Sequence, residues 1–305
     1  MDFRLTGLIP AVFTPMRPNG DINLDQIPAI TDQLINEGVS GLYVCGSTGE
    51  GPSLTREERM AVAEAYIRAA AGRVPVLVQV GHNSIREAQL LAEHAQTIGA
   101  DAISAVPPSY FSVGYLENLL DILAELLTAA PDLPFYYYNI PHLTHAQIDV
   151  VKLLEESVER LPSLVGVKYS APTVYELQTC EGVVDGRYNL LFGSDEMLLS
   201  GLVAGAHGAV GSTYNFAMPL YRRIVAAHAA GDIDEAQRCQ ALSAQMVRHI
   251  VRYGNPGLKT MMKLIGIDCG PARLPQTSLM AAEETKLQRT MEEIGFFDWG
   301  RRTID

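Results

Sequence analysis

Residues 163–170 read SLVGVKYS, an apolar run without the polar alternation of a half-solvated strand, which is the pattern of a parallel strand covered on both faces. One residue breaks it. Lys168 sits near the end of the run, and taking an unpaired ammonium out of water costs several kcal/mol unless the group gives up its proton. Period two puts Leu164, Gly166, Lys168 and Ser170 on one face and Val165, Val167 and Tyr169 on the other. The three bulky side chains suit a face packed against helices, so the lysine is expected to point the opposite way. The plainer alternative is a lysine whose stem lies along the strand end and whose head reaches solvent.

The same rhythm recurs along the 305 residues. Apolar runs of strand length are expected at 7–13, 41–46, 74–80, 101–107, 134–139, 164–170, 189–193 and 208–213. Between and after them, amphipathic runs predict helices at 23–37, 55–71, 84–97, 116–130, 144–156, 173–180 and 196–204, with Thr55 as a helix cap before two first-turn acids. Eight strand–helix units predict an α/β fold, a (β/α)8 TIM barrel, with a doubly wound open sheet as the alternative. Further helices are expected at 219–230, 233–253, 258–265 and 281–294, a C-terminal helical extension. The chain reads as one domain over 1–305, with the barrel at 1–218 and the extension at 219–305. The extension carries more apolar surface than the barrel's outer ring needs, which points to an oligomer contact or to cover for the barrel.

Composition narrows the function. With 48% hydrophobic and 19% charged residues the chain is ordinary for a soluble globular protein. A net charge of -12 excludes a nucleic-acid partner, which requires clustered Lys and Arg. An anionic substrate would need local donors instead. No stretch approaches the ~18 uninterrupted apolar residues of a membrane span. Cys45, Cys180, Cys239 and Cys269 form no C-x-x-C pair, so neither a zinc site nor a disulfide framework is signalled. The first residues, MDFRLTGLIPAVFTP, lack the long apolar core of a signal peptide, and the expected location is the cytoplasm.

In such a barrel, chemistry gathers at the C-terminal ends of the strands. The second strand runs into GSTGEG (46–51), where glycines let backbone amides turn inward and Ser47 and Thr48 add hydroxyls, a seat for a carboxylate or simply a tight turn. The fifth ends in YYYNIP (136–141); alternation directs Tyr136 and Tyr138 one way and Tyr137 the other, and Tyr138 lies at the strand end. The seventh ends FGSDE (192–196), with Asp195 and Glu196 beside Gly193 as acceptors for hydroxyls or as helix caps. Ser212 stands in GSTYN (211–215). His142 and His145 follow Pro141 at a spacing of three, read as a surface turn or substrate contact in preference to a metal pair. No H-E-x-x-H or clustered Cys and His is present, and no metal is expected.

Taken together, GSTGEG, YYYNIP, GVKYS, FGSDE and GAVGSTYN, in this order, resemble the dihydrodipicolinate synthase and N-acetylneuraminate lyase family of pyruvate-dependent class I aldolases, from GLIPAVFTP to GLKTMMKLIG and ARLP. The resemblance implies a (β/α)8 barrel with a C-terminal helical extension, assembled as a homotetramer. It makes Lys168 the Schiff-base lysine, Tyr138 the proton-moving tyrosine, and Ser47 and Thr48 the residues that hold the pyruvyl carboxylate. Tyr110, in VPPSYF, matches a second tyrosine that supports a neighbouring subunit's site. Synthases of the family carry an arginine where this chain has Leu143. The lyases show the Asp–Glu pair after the seventh strand that this chain has at 195–196, with Gly193 and Ser212 alongside. Ser170 stands where lyases commonly have threonine, which leaves the preferred sugar acid open. The implied reaction is cleavage of N-acetylneuraminate to N-acetylmannosamine and pyruvate without metal or organic cofactor, Lys168 being the electron sink. A related aldolase or dehydratase, or a non-catalytic sugar-acid or pyruvate binder, are the alternatives.

Overall fold

The structure is a computed structural model that describes residues 3–301. Its eight strands are β1 Gly7–Pro10, β2 Leu42–Val44, β3 Val76–Gln79, β4 Ala102–Ala105, β5 Phe135–Asn139, β6 Leu164–Tyr169, β7 Asn189–Phe192 and β8 Gly208–Gly211. All pair in parallel in the order β1-β8-β7-β6-β5-β4-β3-β2. The ring closes between β1 and β2 through the parallel bridge of Ala11 with Tyr43, where Val12 N donates to Tyr43 O at 3.0 Å. An open doubly wound sheet is thereby ruled out.

Helices follow the strands: α1 Ile27–Asn36, α2 Arg56–Ala70, α3 Ile85–Thr97, α4 Leu116–Leu127, α5 Pro141–Thr144, α6 Val150–Arg160, α7 Val174–Glu181, α8 Leu198–Val203 and α9 Tyr214–Ala229. The extension continues with α10 Ile233–Ile250, α11 Gly254–Leu264, α12 Ala281–Glu293 and the short α13 Phe296–Trp299. Thr55 caps α2 reciprocally, its hydroxyl accepting from Glu58 N while Glu58 accepts from Thr55 N, as the T-R-E-E start requires.

Several boundaries depart from expectation, among them the start of α11 at Gly254 and not at 258. The helix expected over 144–156 is two pieces: Pro141 nucleates the single turn α5, His145 ends it at a left-handed φ of 57°, and α6 starts later at the Asp149 cap, which accepts from Lys152 N. The segment 196–204 opens as a 3-10 turn, Asp195–Met197, before α8. Helix α9 begins at Tyr214 and not at residue 219; Pro219, which cannot donate to the preceding turn, lies inside it, two residues after a kink at Ala217.

Two apolar layers build the core. Ile9, Tyr43, Leu77, Tyr136, Tyr138 and Leu191 fill the barrel interior, while Phe13, Tyr137, Val167, Tyr169 and Phe192 pack between barrel and helices. The tyrosines of β5 therefore divide as alternation demands. Strand β6 does not alternate throughout. Leu164 faces the helices and Val165 the interior, the reverse of the period-two reading, because the β5–β6 register slips where Phe135 pairs Leu164 but Tyr136 pairs Gly166. Beyond the slip the expected facing returns, with Val167 and Tyr169 outward and Lys168 paired in register with Tyr138. The slip needs a residue without a side chain. A Cβ on Gly166 would stand 2.1 Å from Asn189 O and 2.7 Å from the Tyr136 ring. Gly166→Ala is expected to lower stability by about 1–3 kcal/mol, measured by urea unfolding; an unchanged midpoint would mean that the strand moves aside freely.

Candidate active site

The strand ends converge on one cavity of about 460 Å³. Lys168 comes from β6 and Ser170 from just after it, Tyr138 from β5, Ser47 and Thr48 from the turn after β2, Gly193, Asp195 and Glu196 from after β7, and Ser212 from after β8. The end of α10 and the start of α11 close one side with Val247, Ile250, Asn255 and Leu258.

Lys168 is 4% exposed. Its Nζ lies 3.8 Å from the centroid of the Tyr138 ring and 3.9 Å from that of Tyr43, two rings set edge to face at 82°. Ring faces attract a cation without replacing its hydration. Burial accordingly lowers the amine from its ordinary 10.5 to about 7, with the Asp195 charge pulling weakly the other way. Near neutrality much of the lysine is therefore a free amine, the form that attacks a carbonyl.

Tyr138 is buried as well, and desolvation pushes its phenol up to about 12, eased by the nearby hydroxyls of Ser47 and Ser170. It is a protonated phenol at neutral pH. The Ser170 contact is not an aligned hydrogen bond: its Oγ is buried with no partner of normal geometry. Gly193 makes room for that hydroxyl, since a Cβ there would sit 1.9 Å from Ser170 Oγ. Thr48 Oγ1 and Ser212 Oγ share a hydrogen bond of 2.6 Å, tying the second loop to the eighth.

The acidic pair divides. Asp195 is buried, and its Oδ2 accepts from Thr213 N at 2.8 Å and Thr213 Oγ1 at 2.6 Å. Its Oδ1 has no partner, and burial raises the carboxyl to about 6 against those two bonds. Glu196 is exposed at the rim of the same cavity. Both stand in the first turn of Asp195–Met197, whose N-cap is Ser194, and the Asp195 carboxylate is bonded to Thr213 and not to that turn.

Tyr110 is not brought to this cavity within the chain. It is 82% exposed in the loop after β4, its ring against Phe111 and its N–H on Asn83 Oδ1. His142 and Leu143 line the cavity while His145 does not. Among the described residues no group of three or more His, Cys, Asp or Glu is placed to hold a metal ion, and no helix is long and apolar enough to cross a membrane.

Sequence reasoning missed three residues here. Tyr43 supplies the second ring over Lys168 and anchors its own hydroxyl by donating to Ser104 Oγ at 3.1 Å. Its place in GLYVCG gave a signal, because alternation along β2 turns it to the interior. Thr213, inside the quoted GSTYN, holds Asp195. Asn255, far along the chain, donates from Nδ2 to Ser47 O at 2.6 Å, and nothing local in the sequence marks it.

The model of the dihydrodipicolinate synthetase family matches residues 4–294. The chain belongs to that family. Among family members, an N-acetylneuraminate lyase of Xenopus tropicalis is 39% identical over 292 residues, 94% of this chain and 95% of that one. In solved structures, the N-acetylneuraminate lyase of Proteus mirabilis superposes with a TM-score of 0.93 at 35% identity, covering 96% of this chain and all 100% of its own. The sialic acid aldolase of Aliivibrio salmonicida superposes with a TM-score of 0.93 at 35% identity, over 97% of this chain and 98% of its own.

The Lys168 environment has a direct signature. Acetylation of Lys168 by acetic anhydride, followed by peptide mass spectrometry, should rise with pH around a midpoint near 7, where surface lysines wait for 10.5. A midpoint near 10.5 for Lys168 would contradict the burial argument. Stability should also rise with pH between these two values, because there the unfolded chain keeps a proton that the folded chain has lost.

Proposed function

We propose that this chain cleaves N-acetylneuraminate to N-acetylmannosamine and pyruvate through a Schiff base on Lys168. The observation that carries the reading is the buried Lys168 amine, lowered to about 7 and held against Tyr138 in the cavity. Neutral Lys168 Nζ attacks the C2 ketone of the open-chain sugar acid, water leaves, and an iminium forms. The C3–C4 bonding pair then flows to the iminium nitrogen while the C4 hydroxyl proton passes to the Tyr138 oxygen, whose own proton moves to the substrate carboxylate. N-Acetylmannosamine departs, the enamine is protonated at C3, and hydrolysis returns pyruvate and the amine. Lys168 is the electron sink, so this sequence calls for neither metal nor organic cofactor.

Ser47 and Thr48 seat the carboxylate, with Ser47 also linked to Tyr138. The far end of the sugar lies over Gly193, Asp195, Glu196 and Ser212, where the unpartnered Asp195 Oδ1 is a free acceptor for a hydroxyl. Ser170 borders the carbon that is cleaved. Leu143 lines the cavity where the family's synthases place an arginine, and without a guanidinium a second anionic substrate has no bidentate partner. That favours the lyase reading over the synthase one.

The barrel and its C-terminal extension form one functional unit, since α10 and α11 complete the cavity wall, and the boundary between them falls after α9 and not at 218, because Tyr214–Ala229 runs through that position. We place it in the cytoplasm, which suits four buried, unpaired cysteines. Our reading as a homotetramer draws on the exposed Tyr110 and Phe111 rings, packed on one another, with Tyr115 exposed in the same loop, a surface through which Tyr110 would support a neighbour's site.

Pyruvate release from N-acetylneuraminate, followed in a coupled assay, tests this function. The chain should turn over the sugar acid and Lys168→Met should not; inactivity of the wild type across N-acetylneuraminate and related sugar acids would overturn it. Asp195→Asn and Glu196→Gln should each lower turnover of the sugar acid about 10- to 100-fold while leaving imine formation with pyruvate intact. Equal loss of both would make the pair structural.

A further inference from the structure

The turn that offers Ser47 and Thr48 closes through Glu50 N donating to Ser47 O and Gly51 N to Gly46 O, both at 3.1 Å, and is also tied from outside. Cys45 and Glu50, at either end of it, both sit in the left-handed region, at φ 60° and 54°, which residues with a side chain adopt only where the surroundings impose it. Thr14 Oγ1 donates to Gly49 O at 2.7 Å and Ser212 bonds Thr48, and the C-terminal extension contributes the rest of the surroundings. Asn255 and Lys259, four apart on α11 and so on one face of it, both reach the turn. Asn255 Nδ2 donates to Ser47 O at 2.6 Å. Lys259 Nζ lies 2.6 Å from Glu50 Oε1, with the two side chains 4% and 0% exposed. Oε1 makes no aligned hydrogen bond, so this is a contact of charges, completed by the Pro271 carbonyl accepting from Lys259 at 2.7 Å and by Arg273 N donating to Glu50 Oε2 at 2.7 Å.

A buried ion pair is costly to build and disruptive to break on one side, so a pair at this place fixes the relative position of two segments more than 200 residues apart in sequence. What it fixes is the loop on which the substrate carboxylate is to be received. Neither Asn255 nor Lys259 is required by the carbon–carbon chemistry, and Lys259 lies outside the Lys168 cavity.

We infer that Asn255, together with the Glu50–Lys259 pair, is a positioning device by which the C-terminal extension holds Ser47 and its turn in register with Lys168, so that the extension sets affinity for the 2-oxo-acid carboxylate. This rests on the imine reading above. Loss of Asn255 removes the shorter of two hydrogen bonds to the Ser47 carbonyl, leaving Glu50 N at 3.1 Å, and loosens the turn, which weakens carboxylate binding and leaves the amine and its two ring neighbours as they are.

The test is cyanoborohydride trapping of the Lys168 adduct, read by intact mass across a pyruvate titration, with hydroxyacetone as a ketone that has no carboxylate. Asn255→Ala is expected to raise the half-saturating pyruvate concentration about threefold to tenfold, with the same maximal adduct and the same hydroxyacetone curve as wild type. The double variant Glu50→Gln/Lys259→Met, which leaves no lone buried charge, should behave in the same direction. Unchanged pyruvate curves in both variants would overturn the inference, as would an equal shift for hydroxyacetone, which marks general disturbance of the site. Failure of the underlying reading looks different: the wild type itself then traps neither ketone on Lys168.

Discussion

An amine on the inside of a barrel is the constraint around which this molecule is arranged. Lys168 has lost its water and received two aromatic faces in return, which attract a positive charge but do not solvate it. The proton is therefore held loosely, near pH 7, and the group becomes a nucleophile under ordinary conditions. Tyr138 is driven the opposite way by the same desolvation, up to about 12. One dry environment thus produces a weakly basic amine beside a firmly protonated phenol. Separating two titratable groups in this way assigns them different roles at a single pH.

That environment depends on the register of two strands. Tyr138 and Lys168 are direct neighbours only because β5 and β6 slip against one another at Gly166, and the slip exists only because Gly166 has no side chain to meet Asn189 and Tyr136. The polar furniture around the amine comes from other strand ends and from outside the barrel. Thr213 orients Asp195, Ser212 joins Thr48, and α11 reaches across to the Ser47 turn. The extension is therefore part of the site's architecture as well as cover for the barrel.

Much of this was legible in the sequence because barrel strands are short, doubly buried and announced by β-branched and aromatic runs, and because strand-end motifs such as GSTGEG and FGSDE fall where the fold gathers its chemistry. The inward turn of Lys168 followed from period two together with the bulky side chains on the opposite face, and that of Tyr138 from period two and its place at the strand end. Legibility failed where a local rule gave way to tertiary contact. Alternation misplaced Leu164 and Val165, since a register slip is a property of two strands and not of one. Pro141 made a separate turn instead of leading into a longer helix, and α9 ran through Pro219 by kinking at Ala217. Asn255 and Lys259 meet residues more than 200 positions away, and no spacing rule reaches that far. Tyr110, matched by resemblance to a site tyrosine, lies on the surface of the chain and acquires such a role only through a second copy.

The proposed reaction depends above all on the Lys168 amine being the group that bonds the substrate. Borohydride reduction of the protein during turnover of N-acetylneuraminate, followed by peptide mapping, addresses it most directly. Imine formation at Lys168 requires the mass of a reduced pyruvyl group on the peptide that carries it. No adduct, or an adduct on another lysine under conditions that trap a control aldolase, would contradict it.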